Sequence, residues 1–136
     1  MADYYTHLAF DIPASPAEAA RFSQEIEEAA FVAVYGSGED DAMDGIGCRF
    51  DSDSGTLAIF DHDGTPNLEA LAKTIQRLFP NVLPFGFAYS CTCSKPRSDS
   101  FGGGLFAVSS DAIVQRDLGE LLGEELTCLR ETADAR

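Results

Sequence analysis

Positive charge is scarce in this sequence. Its 136 residues include nine Lys and Arg against 23 Asp and Glu, so the formal net charge is -14. A protein this acidic repels DNA, RNA and anionic lipid, which argues against direct nucleic-acid binding and against a membrane partner. The same charge favours solubility and attraction to basic surfaces. The chain also lacks any run of about 18 apolar residues, so no membrane-spanning helix is predicted.

Histidine is also scarce, which limits the enzyme chemistry that the sequence can support. The two histidines are His7 and His62. A cysteine nucleophile needs a histidine base and a third group that orients the base, and His62 lies in an acidic turn of the kind that is usually solvated. No catalytic residue is assigned for this reason, and the protein is expected not to be an enzyme.

The cysteines do not have the spacing of a structural zinc site. They are Cys48, Cys91, Cys93 and Cys128. Such sites usually combine two Cys-x2-4-Cys pairs, whereas the one close pair here is separated by a single residue. No metal or other cofactor is expected, and the thiols are predicted to be free in a reducing cytosol. A redox or catalytic role for Cys91 and Cys93 stays open as an alternative, because Lys95 and Arg97 would favour a nearby thiolate.

The length of the chain fits one domain. Residues 1–128 are predicted to form it, and residues 129–136 to be a polar, frayed tail. The N-terminal residues contain neither a basic segment nor an apolar stretch of signal-peptide length, so the protein is expected to stay in the cytoplasm.

Apolar periodicity predicts an α+β fold. Strands are predicted over residues 4–12, 46–50, 56–61, 84–93 and 105–108. Ser15 and Glu18 have the spacing of a capping box for a helix ending near residue 30. The next segment, residues 31–35, forms either the last turns of this helix or a strand, and a short strand or extended segment is preferred. Thr65 or Asn67 caps a second helix over residues 68–79. Asp117 caps a third, whose inward-facing residues are predicted to be Leu118, Leu121, Leu122 and Leu126.

The order of these elements resembles a known arrangement. Strand–helix–strand–strand–helix–strand is the split βαβ pattern of ferredoxin-like folds. It predicts a mostly antiparallel sheet with two helices on one face, to which the last hairpin and helix are additions.

Clustered acidic residues are the candidate partner-binding surface. The ones selected are Glu25, Glu28, Glu39, Asp40, Asp41 and Asp44. Acidic helix and loop faces of this kind imitate the phosphate charge of nucleic acid and attract a basic groove on a nucleic-acid-binding protein.

The segment over residues 90–104 is the least ordinary part of the chain. Lys95 and Arg97 are its basic pair, and Gly102, Gly103 and Gly104 follow. Glycine backbone N–H groups and basic side chains can bind an anion. This segment is therefore an alternative site, for a small anionic ligand or nucleotide. The other interpretation is structural, because glycines in a strand allow a bulge or a close backbone crossing.

The same segment carries a family resemblance. The run Cys93-Ser94-Lys95-Pro96-Arg97, followed by Phe101-Gly102-Gly103-Gly104, is similar to a segment in a group of small phage, prophage and plasmid proteins. In that group, too, the segment follows an aromatic strand. The resemblance implies an accessory protein of a mobile element acting in a bacterial host, and it brings no established reaction.

These observations favour a non-enzymatic interaction protein over an enzyme. The expected mechanism is electrostatic inhibition of a basic, nucleic-acid-binding host protein, as DNA mimics of the anti-CRISPR or other anti-defence type do. The protein is expected to be a monomer or a homodimer. The alternative function is binding of a small anion or nucleotide by the Lys95, Arg97 and glycine segment.

Overall fold

The fold is α+β, as predicted, with antiparallel sheets. A computed structural model describes residues 4–35, 43–62, 64–93 and 102–134. Within these ranges the elements are β1 (Tyr4–His7), β2 (Ala9–Pro13), α1 (Pro16–Tyr35), β3 (Ile46–Asp51), β4 (Thr56–Asp61), α2 (Leu68–Leu78), a 3-10 turn (Pro80–Val82), β5 (Phe85–Cys93), β6 (Gly102–Val108), β7 (Ile113–Asp117) and α3 (Leu118–Asp134). None of the helices in these ranges is both long and apolar enough to cross a membrane.

The strands form two sheets that share the N-terminal segment. One sheet has the order β1–β5–β6–β7 and the other β2–β4–β3, and all neighbours are antiparallel. The single strand predicted over residues 4–12 is thus two strands, with Leu8 between them. The carboxylate of Asp61 accepts from Leu8 N at 3.0 Å, and Leu8 O accepts from Asp61 N at 3.2 Å. Because both backbone groups of Leu8 are satisfied, the chain can pass from one sheet to the other there.

Local capping starts α1 and α2 where the sequence predicts. Ser15 and Glu18 bond reciprocally: Glu18 N donates to Ser15 Oγ at 3.2 Å and Ser15 N donates to Glu18 Oε1 at 2.9 Å. Asn67 Oδ1 accepts from Ala70 N at 3.2 Å at the start of α2. These bonds satisfy amide groups that the first helical turn leaves unpaired.

The strand preferred for residues 31–35 is wrong, and the helical alternative is correct, because α1 continues to Tyr35. Val32 and Val34 suggested extended backbone, but β-branched residues cost a helix at most about 0.7 kcal/mol each. A helix that is already nucleated gains one backbone bond per added residue. No Gly or Pro follows Pro16 in the sequence until Gly36, so nothing in the sequence ends the helix earlier.

Aromatic side chains connect the two sheets through the core. Phe10 of β2 stacks on Phe87 of β5 at 4.9 Å between ring centroids, and Phe87 stacks on Phe106 of β6 at 5.2 Å. Phe22 of α1 meets Phe79, which follows α2, at 6.0 Å. The largest fully buried side chains are Phe22, Phe79, Phe106, Ile12, Leu57, Ile59, Leu71, Ile75 and Val108. The core therefore lies between the sheets and the pair α1 and α2.

The inward orientation predicted for Leu118, Leu122 and Leu126 of α3 is wrong. Leu118, Leu122 and Leu126 are 51%, 61% and 41% exposed, and Leu121 is half-buried. The cap is as predicted, since Glu120 N donates to Asp117 Oδ1 at 2.7 Å. Periodicity correctly identifies an apolar face of α3 but not what covers that face. The large buried side chains of β5 and β6, Phe87, Phe106 and Val108, already pack in the core. The helix also continues through Asp134, past the predicted start of the tail at residue 129.

A matched pair of leucine substitutions tests this difference in burial. Leu71→Ala in α2 is expected to lower the free energy of unfolding by about 2–5 kcal/mol, because Leu71 is fully buried. Leu122→Ala in α3 is expected to change it by less than about 0.5 kcal/mol. Urea unfolding of both variants measures the two values. Similar losses in the two variants would mean that α3 is packed into the core.

Candidate interaction surfaces

Glu25 of α1 forms an ion pair within the fold. Arg77 of α2 donates from Nη2 to Glu25 Oε1, and Glu25 Oε2 is buried with no hydrogen-bond partner among the described residues. This pair joins α1 to α2, which also contact each other through their apolar faces. Among the described acidic residues predicted to bind a partner, Glu25, Glu28 and Asp44, Glu25 is therefore the one that pairs with a base of the same chain.

An acidic groove lies beside α1 and the start of β3. It has a volume of about 480 Å³, and Glu27, Asp44 and His62 contribute its ionisable groups other than a thiol. No Lys or Arg is among the described residues that line it. Glu28 is exposed next to Glu27 and accepts a 3.4 Å hydrogen bond from Gln24. The groove is thus a concave surface whose charge is negative at neutral pH.

Asp44 and Glu28 are among the residues predicted from the sequence to bind a partner, whereas Glu27 is not. Helical spacing puts Ser23 and Glu27 on one face of α1, one turn apart, and both line the acidic groove. The packing of α1 against β3 then brings Asp44 to the same place. The spacing on α1 could have identified Glu27, but only the tertiary structure shows that it shares a groove with Asp44.

The thiol of Cys48 is also part of this groove. Burial raises the pKa of Cys48, and a hydrogen bond with Ser23 partly opposes the rise in pKa. A thiol with a raised pKa is mostly protonated at neutral pH and is a poor nucleophile. Cys48 therefore contributes apolar surface to the groove.

Five predicted site residues lie outside the described residues: Glu39, Asp40, Asp41, Lys95 and Arg97. The first three lie between α1 and Met43 in the sequence, and the last two lie between β5 and β6.

The glycines of β6 serve close packing of the sheet. Gly103 pairs with Ser90 and has φ +144°, and a Cβ there would lie 2.2 Å from the carbonyl oxygen of Tyr89. At Gly104 a Cβ would lie 2.3 Å from the carbonyl oxygen of Arg116 in β7. Both positions fit the structural interpretation of the glycine run, in which the backbones approach more closely than a side chain permits. Gly102 has open space around it.

A second groove lies between β1, β5, β6 and the first turns of α3. We call it the α3 groove. Its volume is about 840 Å³, and its lining includes Tyr4, Cys91, Gly103, Leu118 and Leu122. Cys91 is half-buried, and its sulfur lies 4.0 Å from the hydroxyl of Thr6 on the neighbouring strand. A concave surface of this size and composition is suited to an apolar group.

The leucines that line the α3 groove continue along α3 as an exposed row. We define the leucine row as Leu118, Leu122, Leu126 and Leu129, which are spaced by three or four residues. Arg116, near the end of β7, forms ion pairs with two acids on the polar face of the helix, Glu120 at 3.2 Å and Glu124. These contacts raise the pKa of Arg116. The helix thus presents one apolar and one acidic face.

Similarity to other proteins does not identify the chain. None of three comparisons, with protein-family models, with curated proteins and with solved structures, finds a match. Within the described ranges, no three His, Cys, Asp or Glu residues are grouped so as to hold a metal ion.

Proposed function

We propose that this chain is a non-enzymatic interaction protein of a phage or other mobile element. Its acidic surface engages the basic surface of a nucleic-acid-binding host protein and blocks it in the bacterial cytoplasm. The protein then acts as a DNA mimic of the anti-defence type, of which anti-CRISPR inhibitors are one kind. The phage-like segment around residues 93–104 and the net charge of -14 support this origin and mechanism.

The acidic groove is the observation that carries the proposal. Glu27 and Asp44 line it, and no described Lys or Arg does. Glu28, the residue after Glu27, is also exposed. A concave negative surface without cations focuses the electrostatic potential and raises the association rate of a positively charged partner. Met43 also lines the groove. In the sequence it follows shortly after three further acids, Glu39, Asp40 and Asp41.

We infer that the acidic groove belongs to a split βαβ unit. If β1 and β2 are taken as one bent strand, the joint order is β5–β1/β2–β4–β3. Each helix then connects two parallel strands with a third strand between them, which is the ferredoxin-like pattern. The contact between α1 and α2 supports helices on one face. The strands β6 and β7 and helix α3 are additions to this unit.

A salt-dependent capture experiment tests the proposed function. The immobilised protein is incubated with bacterial lysate from about 0.1 M to about 1 M salt, over which the screening length falls from roughly 10 Å to 3 Å. We expect capture of a DNA-binding protein, lost at high salt and displaced by duplex DNA. The variant Glu27→Gln/Glu28→Gln/Asp44→Asn is expected to reduce capture at least roughly tenfold, since charge-assisted contacts each contribute about 1.5–3 kcal/mol.

The matched control removes the same charge elsewhere. Asp11→Asn/Asp53→Asn/Glu69→Gln neutralises three exposed acids away from the groove. It is expected to retain capture. If no partner is bound, or if salt and the groove variant leave binding unchanged, the proposal is wrong. If both variants lose capture equally, the binding depends on net charge alone and not on the groove.

The alternative function, an anionic-ligand site formed by Lys95, Arg97 and Gly102 to Gly104, stays a prediction. Its two basic residues lie outside the described ranges, and two of its glycines are already required by the sheet.

A further inference from the structure

The leucine row and the α3 groove form one continuous apolar surface. Leu118 and Leu122 belong to both, and Leu126 and Leu129 extend the surface along the helix. Leu129 is 64% exposed and Tyr4, on the far side of the groove, is 58% exposed. Within the described ranges, α3 packs against β6 and β7 and leaves these leucines uncovered. Large contiguous apolar surface of this kind marks a site of interaction.

An acidic residue beside the row indicates the kind of partner. Glu125 follows Leu122 by three residues and precedes Leu129 by four, so helical geometry places it next to both leucines. It is exposed, and no described base forms an ion pair with it. Arg130 is the one base within the helix, against the acids Glu120, Glu124, Glu125, Glu131 and Asp134. A partner that covers the leucines must therefore also meet negative charge.

A second copy of the chain does not satisfy this requirement. The middle of the leucine row lies next to Glu125, so a two-fold antiparallel pair of α3 helices would bring the two Glu125 carboxylates together. Taking like charges out of water without a counter-charge is unfavourable, and each copy also brings a net charge of -14. Lys or Arg at this point of a partner would instead form a pair with Glu125.

We propose that the leucine row and the α3 groove bind an amphipathic segment of a basic partner. The segment has apolar side chains at helical spacing, which cover the row, and Lys or Arg beside them, which pair with Glu125. One large apolar side chain enters the α3 groove. This inference rests on the proposed function, because it specifies which part of the basic partner contacts the chain and where.

A synthetic peptide serves as the probe. It consists of leucine and lysine, with leucines at i, i+3, i+4 and i+7 so that it forms an amphipathic helix. Two controls are a peptide of the same composition with scrambled order, and a leucine–glutamate peptide with the same leucine positions. Fluorescence anisotropy of labelled peptide measures the dissociation constant with the full chain. We expect the leucine–lysine peptide to bind at least roughly tenfold more tightly than either control.

Variants of α3 separate the apolar from the electrostatic contribution. Leu126→Ser/Leu129→Ser is expected to weaken binding of the leucine–lysine peptide roughly tenfold or more, because apolar burial is lost at two positions. Val114→Ser removes an exposed apolar side chain of β7 outside the row and is expected to have no effect. Glu125→Lys is expected to weaken binding of the leucine–lysine peptide and to create binding of the leucine–glutamate peptide. Asp53→Lys, which changes the net charge equally at a distant turn, is expected to do neither.

Each outcome decides between the possible occupants. Equal binding of the scrambled peptide, or unchanged affinity of the leucine and Glu125 variants, overturns the inference. So does a dimer in sedimentation velocity that Leu126→Ser/Leu129→Ser dissociates, since the row would then belong to a second copy. Loss of salt-dependent capture from lysate with peptide binding intact overturns the proposed function alone. Capture that the leucine variant leaves unchanged, but the acidic-groove variant abolishes, overturns the inference alone.

Discussion

Gly103→Ala is expected to lower the free energy of unfolding by about 3 kcal/mol or more. The added Cβ would lie 2.2 Å from the carbonyl oxygen of Tyr89 and 2.9 Å from Cα of Ser90, and both atoms belong to the backbone of β5. No rotation of a side chain relieves such a contact, so β5 and β6 must separate. The φ of +144° adds strain, because residues with a Cβ rarely adopt it. Urea or thermal unfolding measures the loss.

Gly102→Ala is the matched control for this prediction. It makes the same substitution one residue earlier in β6, where a Cβ meets nothing within 4 Å. Its stability is expected to stay within about 1 kcal/mol of the parent, with a small gain from the reduced freedom of the unfolded chain. If the two alanine variants are equally stable, the backbones of β5 and β6 do not approach each other closely at Gly103.

Phe106→Ala is expected to cost about 3–5 kcal/mol. Phe106 is 2% exposed and lies between two aromatic rings, Phe87 at 5.2 Å and Tyr89 at 5.9 Å between centroids. Its removal leaves a cavity beside the stack that reaches Phe10 in the other sheet. Since the total stability of a domain is about 5–15 kcal/mol, a loss of this size threatens folding at ordinary temperature.

The control for Phe106 is an aromatic residue that faces solvent. Tyr4→Ala removes a side chain that is 58% exposed, and its expected change is below about 1 kcal/mol. Phe106→Leu, which fills part of the cavity, is expected to fall between the two. If denaturant unfolding gives Phe106→Ala and Tyr4→Ala the same free energy of unfolding, the sheets do not enclose an aromatic core.

Features set by neighbouring residues were predictable from the sequence. The capping box of Ser15 and Glu18, the Asn67 cap and the Asp117 cap all depend on side chains that bond within three residues. The strands β3 and β4 could be predicted because their apolar residues alternate and a glycine-containing turn joins them. The α+β class follows from these elements.

Features set by distant residues were not predictable. The division of the first strand at Leu8 depends on the carboxylate of Asp61, 53 residues away in the sequence. Glu25 is bound by Arg77, 52 residues away, so an acid that looks available in the sequence is used within the fold. For α3, the apolar stripe was identified but its exposure was not, because exposure depends on which surfaces the sheets have left uncovered.

The same limit applies to the candidate surfaces. Asp44 and Glu28 could be selected as part of acidic runs, whereas the acidic groove also needs Glu27 and the contact between α1 and β3. The glycines of β6 were recognised as unusual, and a structural role was one of the two interpretations. Which backbone atoms they approach depends on the register of β5, β6 and β7.

The crossing of the chain at Leu8 has a consequence for the order of folding. β1 pairs with the last residues of β5, Tyr4 opposite Cys93 and His7 opposite Ser90, so its partner is synthesised long after β1 itself. The strand pairing of β2, β4 and β3 involves no residue beyond Asp61, so this pairing can form first. Contacts between distant parts of a chain form slowly because a long loop must close. During synthesis, β1 therefore lacks its strand partner until β5 has left the ribosome.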